Sequence, residues 1–403
     1  PNGLRLVHYE DTSTQMVALN IVYDVGARDE HPEHTGFAHL FEHLMFGGSA
    51  HIPDYDTPLQ LAGGENNAWT NNDITNYYLT VPKPNVETAF WLESDRMLEL
   101  AFSEQSLEVQ RGVVMEEFKQ RCLNQPYGDV GHLFRPLAFR VHPYRWPTIG
   151  KELSHIEQAT LDEVKSFFYR FYAPNNAVLA VTGNISWDET VKLTEKWFAP
   201  IPRRDVPVRQ LPQEPEQTQE RRLTVERNVP LDALFMGYHM CSREGADYYA
   251  FDILSDILSN GRSSRLNRRL VQEQNIFSGI DAYISGTRDA GLLQISGKPA
   301  AGVSLEQAEA AVRKELEELQ RSPVDGQELE KVKNKFESTQ IFGNINYLNV
   351  ATNLAWFELT GKAEDIDLEV ERYRSVTTEQ LHTVAQRTFC ESNAVVLYYK
   401  SDK

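Results

Sequence analysis

The sequence predicts an α+β protein built from two homologous domains, each an antiparallel-rich mixed sheet packed with helices. Both halves interleave segments that alternate at period two with segments of helical spacing, the pattern of a layered α+β domain. Thr160-Leu-Asp-Glu-Val followed by Asn176-Ala-Val-Leu returns as Thr377-Thr-Glu-Gln-Leu followed by Asn393-Ala-Val-Val, both at an offset of 217 (377 − 160 and 393 − 176). That ungapped recurrence is the mark of a duplication. Between the copies, Pro202, Pro207, Pro212 and Pro215 lie among charges and glutamines, a linker composition. The predicted division is therefore residues 1–199, a linker at 200–220, and a second copy at 221–403.

Taken in order, Leu4, Leu6 and His8, then Val17 to Val25, alternate around a polar turn at Asp11–Thr14 and predict a hairpin. A polar loop, Gly26 to Gly36, precedes a helix favoured by Ala38, Leu40, Phe41, Leu44 and Met45 and stopped by Gly47-Gly48-Ser49. A short helix at 55–62 leads to a second hairpin, Asn66–Thr70 with Thr75–Val81, rich in strand-favouring residues. Helical patterns follow from Val86 to Ala101, from Glu104 to Cys122 and from Thr160 to Tyr172, and Ala177 to Val181 reads as a strand. In the second copy, Ala282-Tyr283-Ile284 with Asp289 faintly repeats Ala68-Trp69-Thr70 with Asp73. The stretch Asp252 to Gly261 stands where the short helix of residues 37–46 should recur, with its glycine stop and no histidine.

At 403 residues, with 41% hydrophobic residues, the chain has core enough for two or three domains. Forty basic against fifty-eight acidic residues give a formal charge of −18, which argues against nucleic acid and for cationic partners. No run of eighteen apolar residues is present, so no membrane span is expected. Pro1-Asn2-Gly3-Leu4 reads as a turn entering a strand, so the N-terminus looks incomplete; the expectation is a soluble, cytoplasmic protein, with the periplasm or an organellar matrix as alternatives. Cys122, Cys241 and Cys390 are far apart and are expected to be buried thiols.

The chemistry concentrates in His39-Leu40-Phe41-Glu42-His43. On a helix, residues four apart share a face, so His39 and His43 stand together with Glu42 beside them. Two imidazoles suit zinc, and a carboxylate outside the coordination shell can take a proton from a metal-bound water. A third ligand is sought on the helix from Glu104. At about 100° per residue, Leu107, Val113, Val114 and Phe118 mark its buried side, Glu117 falls among them and Glu116 points away. A carboxylate on a packed face needs a partner. Glu117 either pairs with Arg111 or Arg121 or is that third ligand.

With His39-x-x-Glu42-His43, Gly47-Gly48-Ser49, Asn67-Ala68-Trp69-Thr70, Val113-Val-Met-Glu-Glu117, His142-Pro-Tyr-Arg-Trp-Pro-Thr-Ile-Gly150 and the duplicated halves, the chain resembles the inverted-zincin metallopeptidases. That family includes pitrilysin, insulin-degrading enzyme and mitochondrial processing peptidase, and the length resembles its processing-peptidase-like bacterial branch. The resemblance implies Zn2+ held by His39, His43 and Glu117, with Glu42 as general base and residues 1–199 as the catalytic domain. It implies an endopeptidase acting on peptides or unfolded polypeptides inside a closed chamber, with Asn67 and Ala68 holding substrate backbone on an edge strand. By itself, Asn67 reads equally as a turn residue. Two departures stand out. Gln110 replaces a glutamate usual seven residues before the third ligand, and the family's substrate-binding Arg and Tyr, seven apart in the second domain, align with Val271 and Ser278. The expectation is a zinc-bearing subunit whose homologous partner supplies that pair in a heterodimer, with a homodimer as alternative, or with Tyr283 or Arg288 standing in. The rival from another class is a non-catalytic scaffold subunit of a larger complex.

Overall fold

The computed structural model describes residues 1–402. Its ten strands are β1 (Arg5–Glu10), β2 (Met16–Tyr23), β3 (Glu65–Thr70), β4 (Thr75–Pro82), β5 (Ala177–Gly183), β6 (Arg221–Arg227), β7 (Ala233–His239), β8 (Phe277–Ile284), β9 (Leu292–Pro299) and β10 (Ala394–Ser401). They form two five-stranded mixed sheets of the same topology, β1-β5-β2-β4-β3 and β6-β10-β7-β9-β8, each packed with helices. The outermost pair, β1 with β5 and β6 with β10, is parallel, and every other pair is antiparallel.

The hairpin expected at residues 4–25 does not form, because β5 lies between β1 and β2. The reason is burial. All seven residues of β5 are buried, whereas β1 is half-buried and ends exposed. A strand covered on both faces belongs inside a sheet, and the half-polar one is left at its edge. The second hairpin is present as β3 and β4, paired from Glu65–Thr80 to Thr70–Thr75.

Two compact units result. The first comprises residues 1–123, 146–212 and 341–368, and the second comprises 124–145, 213–340 and 369–403. In the first unit, Leu179 and Val181 of β5 join the main core with the helix Phe37–Leu44, while Val178 and Ala180 meet Ala351, Ala355 and Leu359 of the helix Tyr347–Thr360. Two alanines on that helix let it lie close to the sheet. In the second unit, Val396 and Tyr398 of β10 face the main core and Val395 and Leu397 pack on Phe134 and Ala138 of the helix Val130–Ala138. Each sheet thus draws the cover of one face from outside its own sequence copy. A division at 199 and 221 follows the repeat and not the packing.

The offset of 217 is reproduced in three dimensions. The helices Leu161–Phe171 and Thr378–Thr388 match end to end, each opened by a threonine whose hydroxyl accepts the third backbone N–H, Thr160 from Glu163 and Thr377 from Gln380. Asn176 Nδ2 then donates to Phe171 O and Asp24 O, and Asn393 Nδ2 to Thr388 O and His239 O, tying the helix end to the strand in both units.

Three local expectations change. The helix from Glu104 ends at Phe118 and passes into a π-turn, Lys119–Leu123, instead of running on to Cys122. Val113, expected on its buried side, is 46% exposed. Among the cysteines only Cys122 is buried, and Cys241 and Cys390 are half-buried because each lies just beyond its sheet. None of the described helices is long and apolar enough to cross a membrane.

Candidate metal centre

The helix Phe37–Leu44 carries His39, Glu42 and His43, and its other face explains why it forms there. Phe37, Leu40, Phe41 and Leu44 are buried in the core, with Phe41 stacked on Phe167 and Tyr172 at 5.2 and 5.0 Å. No side chain of the preceding residue caps the helix. Instead the two oxygens of the buried Glu30 carboxyl group accept the N–H groups of Gly36 and Ala38, both at 2.9 Å, and satisfy donors that the first turn of the helix leaves open. Burial nevertheless pushes Glu30 up to about 8. Gly36 enters the helix at φ +88, where a Cβ would also come within 2.7 Å of Ile156, so glycine is required there.

The helix brings the two imidazoles to 4.9 Å between ring centres, nearly perpendicular at 88°. Glu117 reaches them from the helix Glu104–Phe118, its Oε2 lying 3.5 Å from His39 Nε2 and 3.3 Å from His43 Nε2. Its other oxygen, Oε1, pairs with Arg121 Nη2 at 2.9 Å, so both readings of Glu117 find a partner in the structure. Arg111 instead binds Glu108 and Ala159 O.

Among the described residues this is the one group of three or more His, Cys, Asp or Glu side chains whose ligand atoms all lie within 4.8 Å. A tetrahedral ion with bonds of about 2.1 Å separates its ligand atoms by roughly 3.4 Å, close to the spacing found. Two nitrogens and one oxygen also suit zinc chemically, and three protein ligands leave a fourth position open.

Electrostatics fit the same use. Burial holds His39 down to about 4, which keeps the imidazole neutral, and its buried Nδ1 has no hydrogen-bond partner among the described residues. Glu117 is held below the usual carboxylate range, first by its hydrogen bond with His43. Glu42 is raised by burial against the opposing hydrogen bond from Thr70, whose hydroxyl donates to Glu42 Oε2 at 2.7 Å. A carboxylate with a raised affinity for protons and a fixed orientation is suited to general base work.

Thr70 sits on β3, which is the outermost strand of its sheet and alternates exposed and half-buried. Asn67 is exposed and Ala68 half-buried on that strand, and the Ala68 N–H donates to Asn67 Oδ1 at 2.8 Å. In the second unit Val271 is half-buried in the π-turn Asn267–Glu273, and Ser278 on β8 donates to Lys298 O. Neither offers a guanidinium or a phenol. Tyr283 is 48% exposed on β8 and Arg288 is half-buried. Gln110 is half-buried, its Nε2 close to Gly47.

Two family profiles cover most of the chain, Insulinase (Peptidase family M16) over residues 5–129 and Peptidase M16 inactive domain over residues 158–336. The chain is an M16-family, metallopeptidase-like protein. It is 26% identical to the zinc protease PqqE of Helicobacter pylori over 99% of this chain and 91% of the relative. It is also 25% identical to the uncharacterized zinc protease YmxG of Bacillus subtilis, over 98% of this chain and 96% of the relative. Among solved structures, a protease from Helicobacter pylori matches with a TM-score of 0.94 at 26% identity, over 99% of this chain and 97% of that one. Pitrilysin shares the fold, with a TM-score of 0.78 at 18% identity over 99% of this M16 chain and 44% of pitrilysin.

Proposed function

We propose that this M16 chain is a zinc-dependent endopeptidase for unfolded polypeptides, with His39, His43 and Glu117 as the zinc ligands and Glu42 as the general base. The observation that carries the reading is the convergence of both histidine Nε2 atoms on one oxygen of Glu117, at 3.5 and 3.3 Å, beside a carboxylate oriented by Thr70. Relatives named zinc proteases agree with it. Zinc, when bound, supplies a Lewis acid and acidifies a coordinated water. The chain's own residues do the rest. Glu42 takes the proton of the attacking water and returns it to the leaving amine, and Thr70 keeps its carboxylate in one orientation. Asn67 and Ala68 on the β3 edge accept substrate main chain as an added strand, which selects extended, unfolded polypeptide with loose sequence preference.

The reading includes a second chain. Val271 and Ser278 supply neither a guanidinium nor a phenol for an oxyanion, and the Ser278 hydroxyl is already given to Lys298 O, so a homologous partner bringing an Arg and a Tyr across a closed chamber completes the site, as a heterodimer. Missing oxyanion donors cost about 10²–10³ in rate, so the purified chain is expected to cleave a flexible reporter peptide that much more slowly alone than with its partner. Full activity of the lone chain would transfer the role to Tyr283 or Arg288.

The deciding experiment compares two substitutions. Glu42→Gln is expected to keep about one zinc per chain and lose cleavage by a factor of about 10²–10⁴. Glu117→Gln is expected to lose the zinc as well. A wild-type chain that takes up no zinc would return the protein to the scaffold reading, and a metal-bearing Glu42→Gln that still turns over would remove Glu42 from its role.

A further inference from the structure

A second groove lies in the first unit, along the opposite edge of the sheet from β3. It encloses about 560 Å³ and is lined by Leu6 to Tyr9 of β1, by Trp187, by Val350 and Leu354 of the helix Tyr347–Thr360, and by the turn carrying Glu364, Ile366 and Asp367. That volume is within the range of roughly 300–1,000 Å³ usual for ligand clefts.

Four features of this groove agree on one kind of occupant. β1 is outermost and pairs only with β5, so its other backbone edge has no strand beside it among the described residues. Such an edge is a template for an extended chain. The start of the strand is closed by Arg5, which donates to Glu358 O, and the groove opens beyond it over Leu6–Tyr9. Tyr9 and Trp187 are 50% and 51% exposed at its rim, and large aromatics in such positions are the side chains that anchor peptides. Trp187 is not loose: its ring lies 5.7 Å from that of His8, and His8 is itself held by a hydrogen bond from Nε2 to Ile185 O at 2.9 Å.

Charge decides the rest. Glu364 and Asp367 are exposed on one wall, neither has an ion-pair partner among the described residues, and no Lys or Arg lines the groove. A trough that mixes apolar side chains with two unpaired carboxylates and no Lys or Arg, beside an open strand edge, complements a chain that alternates apolar and basic side chains.

We propose that this groove binds an extended polypeptide segment carrying apolar and basic residues, by strand addition to β1 with an apolar side chain against Trp187 and a basic one at Glu364 and Asp367. Four inter-strand spacings of about 4.8 Å put it roughly 19 Å across the sheet from β3, so it is a separate contact and not an extension of the metal centre. In the peptidase reading, on which this use rests, the occupant is a remote part of the substrate, and the class preferred is basic, unfolded polypeptide.

The test uses the full chain bearing Glu42→Gln, so that nothing is cleaved, and a fluorescent eight-residue peptide alternating Leu or Phe with Lys. Binding is expected to weaken at least tenfold in Glu364→Lys/Asp367→Lys and in Trp187→Ala, to weaken as salt rises, and to fall at least tenfold when alternate peptide nitrogens are methylated. Folding of each variant is checked by circular dichroism. Affinity unchanged in both groove variants but lost in Asn67→Ala would assign the peptide to β3 and overturn the proposal. A concentration-dependent dimer that the groove variants abolish would give the groove to a second copy of this chain and also overturn it. Because binding is read without turnover, a failure of the peptidase reading leaves this result standing, and a failure here leaves the zinc and cleavage assays untouched.

Discussion

The two copies share a sheet, a helix cap and an asparagine tie, and they differ at one helix. In the first unit Phe37–Leu44 presents two histidines and Glu42 to a carboxylate on a neighbouring helix. Its counterpart, Tyr248–Ser259, is longer and carries no histidine. There the polar side chains are closed by neighbours: Ser259 Oγ both donates to Ala282 O and accepts Ala282 N–H, at 3.0 and 2.7 Å, and Asp252 accepts the Tyr373 hydroxyl. On the first helix the buried His39 Nδ1 is left without a partner among the described residues. Buried polar groups ordinarily find partners, because an unsatisfied one costs about 1–3 kcal/mol. The comparison teaches that the fold does not need the histidines. The helix of the second copy holds its polar side chains in internal hydrogen bonds, whereas that of the first turns two imidazole Nε2 atoms to one carboxylate oxygen.

The largest effect expected from this contrast is in metal binding. Asp252→Asn, in the helix of the second unit, should leave zinc content unchanged, whereas Glu117→Gln in the first should abolish it; metal analysis of the two purified variants checks this. A loss of zinc in Asp252→Asn would break the contrast, since it would give the second copy a share in the site.

A smaller effect tests what the copies share. Asn176→Ala and Asn393→Ala each remove two hydrogen bonds to main-chain carbonyls of the helix end and the sheet, and each is expected to destabilise its own unit by about 1–3 kcal/mol. The chain offers a natural readout. All six tryptophans, Trp69, Trp91, Trp146, Trp187, Trp197 and Trp356, fall in the first unit and none in the second. In urea, Asn176→Ala should move the tryptophan fluorescence transition, and Asn393→Ala should move the far-ultraviolet circular dichroism while leaving fluorescence in place. Coincident shifts of both signals in either variant would mean that the two sheets unfold as one cooperative body.

What could be read from the sequence was what depends on local chemistry. The caps Thr160 and Thr377 and the ties Asn176 and Asn393 act within a few residues of themselves, so their spacing survives in the text of the chain and the duplication was legible to the residue. The helical phase that separated Glu117 from Glu116 was legible for the same reason. The same reasoning misplaced Val113, because an apolar side chain does not have to be buried. Strand order was not legible: β1 and β2 look like a hairpin until β5, more than 150 residues on, proves to be the strand buried on both faces. Glu30 and Thr70 were missed as supports of the site because both act across the fold. Glu30 caps from outside the capping-box spacing, and Thr70 meets Glu42 only once β3 folds beside the helix.

The subtlest expected difference between the units is the sign of their response to pH, and it comes from two buried glutamates. Glu30 in the first unit is pushed up to about 8 by burial. Its folded form therefore holds a proton that the unfolded chain, with an ordinary carboxyl near 4.5, has already released; between those values the native state binds more protons, so stability falls as pH rises. Glu309 in the second unit is held down at about 2: burial opposes this, and the hydrogen bonds from Arg222, Tyr398 and Arg313 overcome it. For it the unfolded state binds more protons between about 2 and 4.5, so stability is present above that window and is lost as pH falls through it. Below about pH 6.5 the fall in the first unit is offset by His39, whose imidazole, held down to about 4, has released on folding a proton that the unfolded chain still binds. Tryptophan fluorescence should accordingly report a first unit that weakens from about pH 6.5 towards 8, while circular dichroism should report a second unit that weakens below pH 4. Glu30→Gln sharpens the first half of the claim. It leaves one of the two helix N–H groups without an acceptor, at a cost of about 1–3 kcal/mol, and it should flatten the fall between about pH 6.5 and 8, since glutamine has no proton to lose. If the fluorescence transition keeps its pH slope in Glu30→Gln, the proton belongs to another group in the first unit, and the opposition between the two glutamates does not hold.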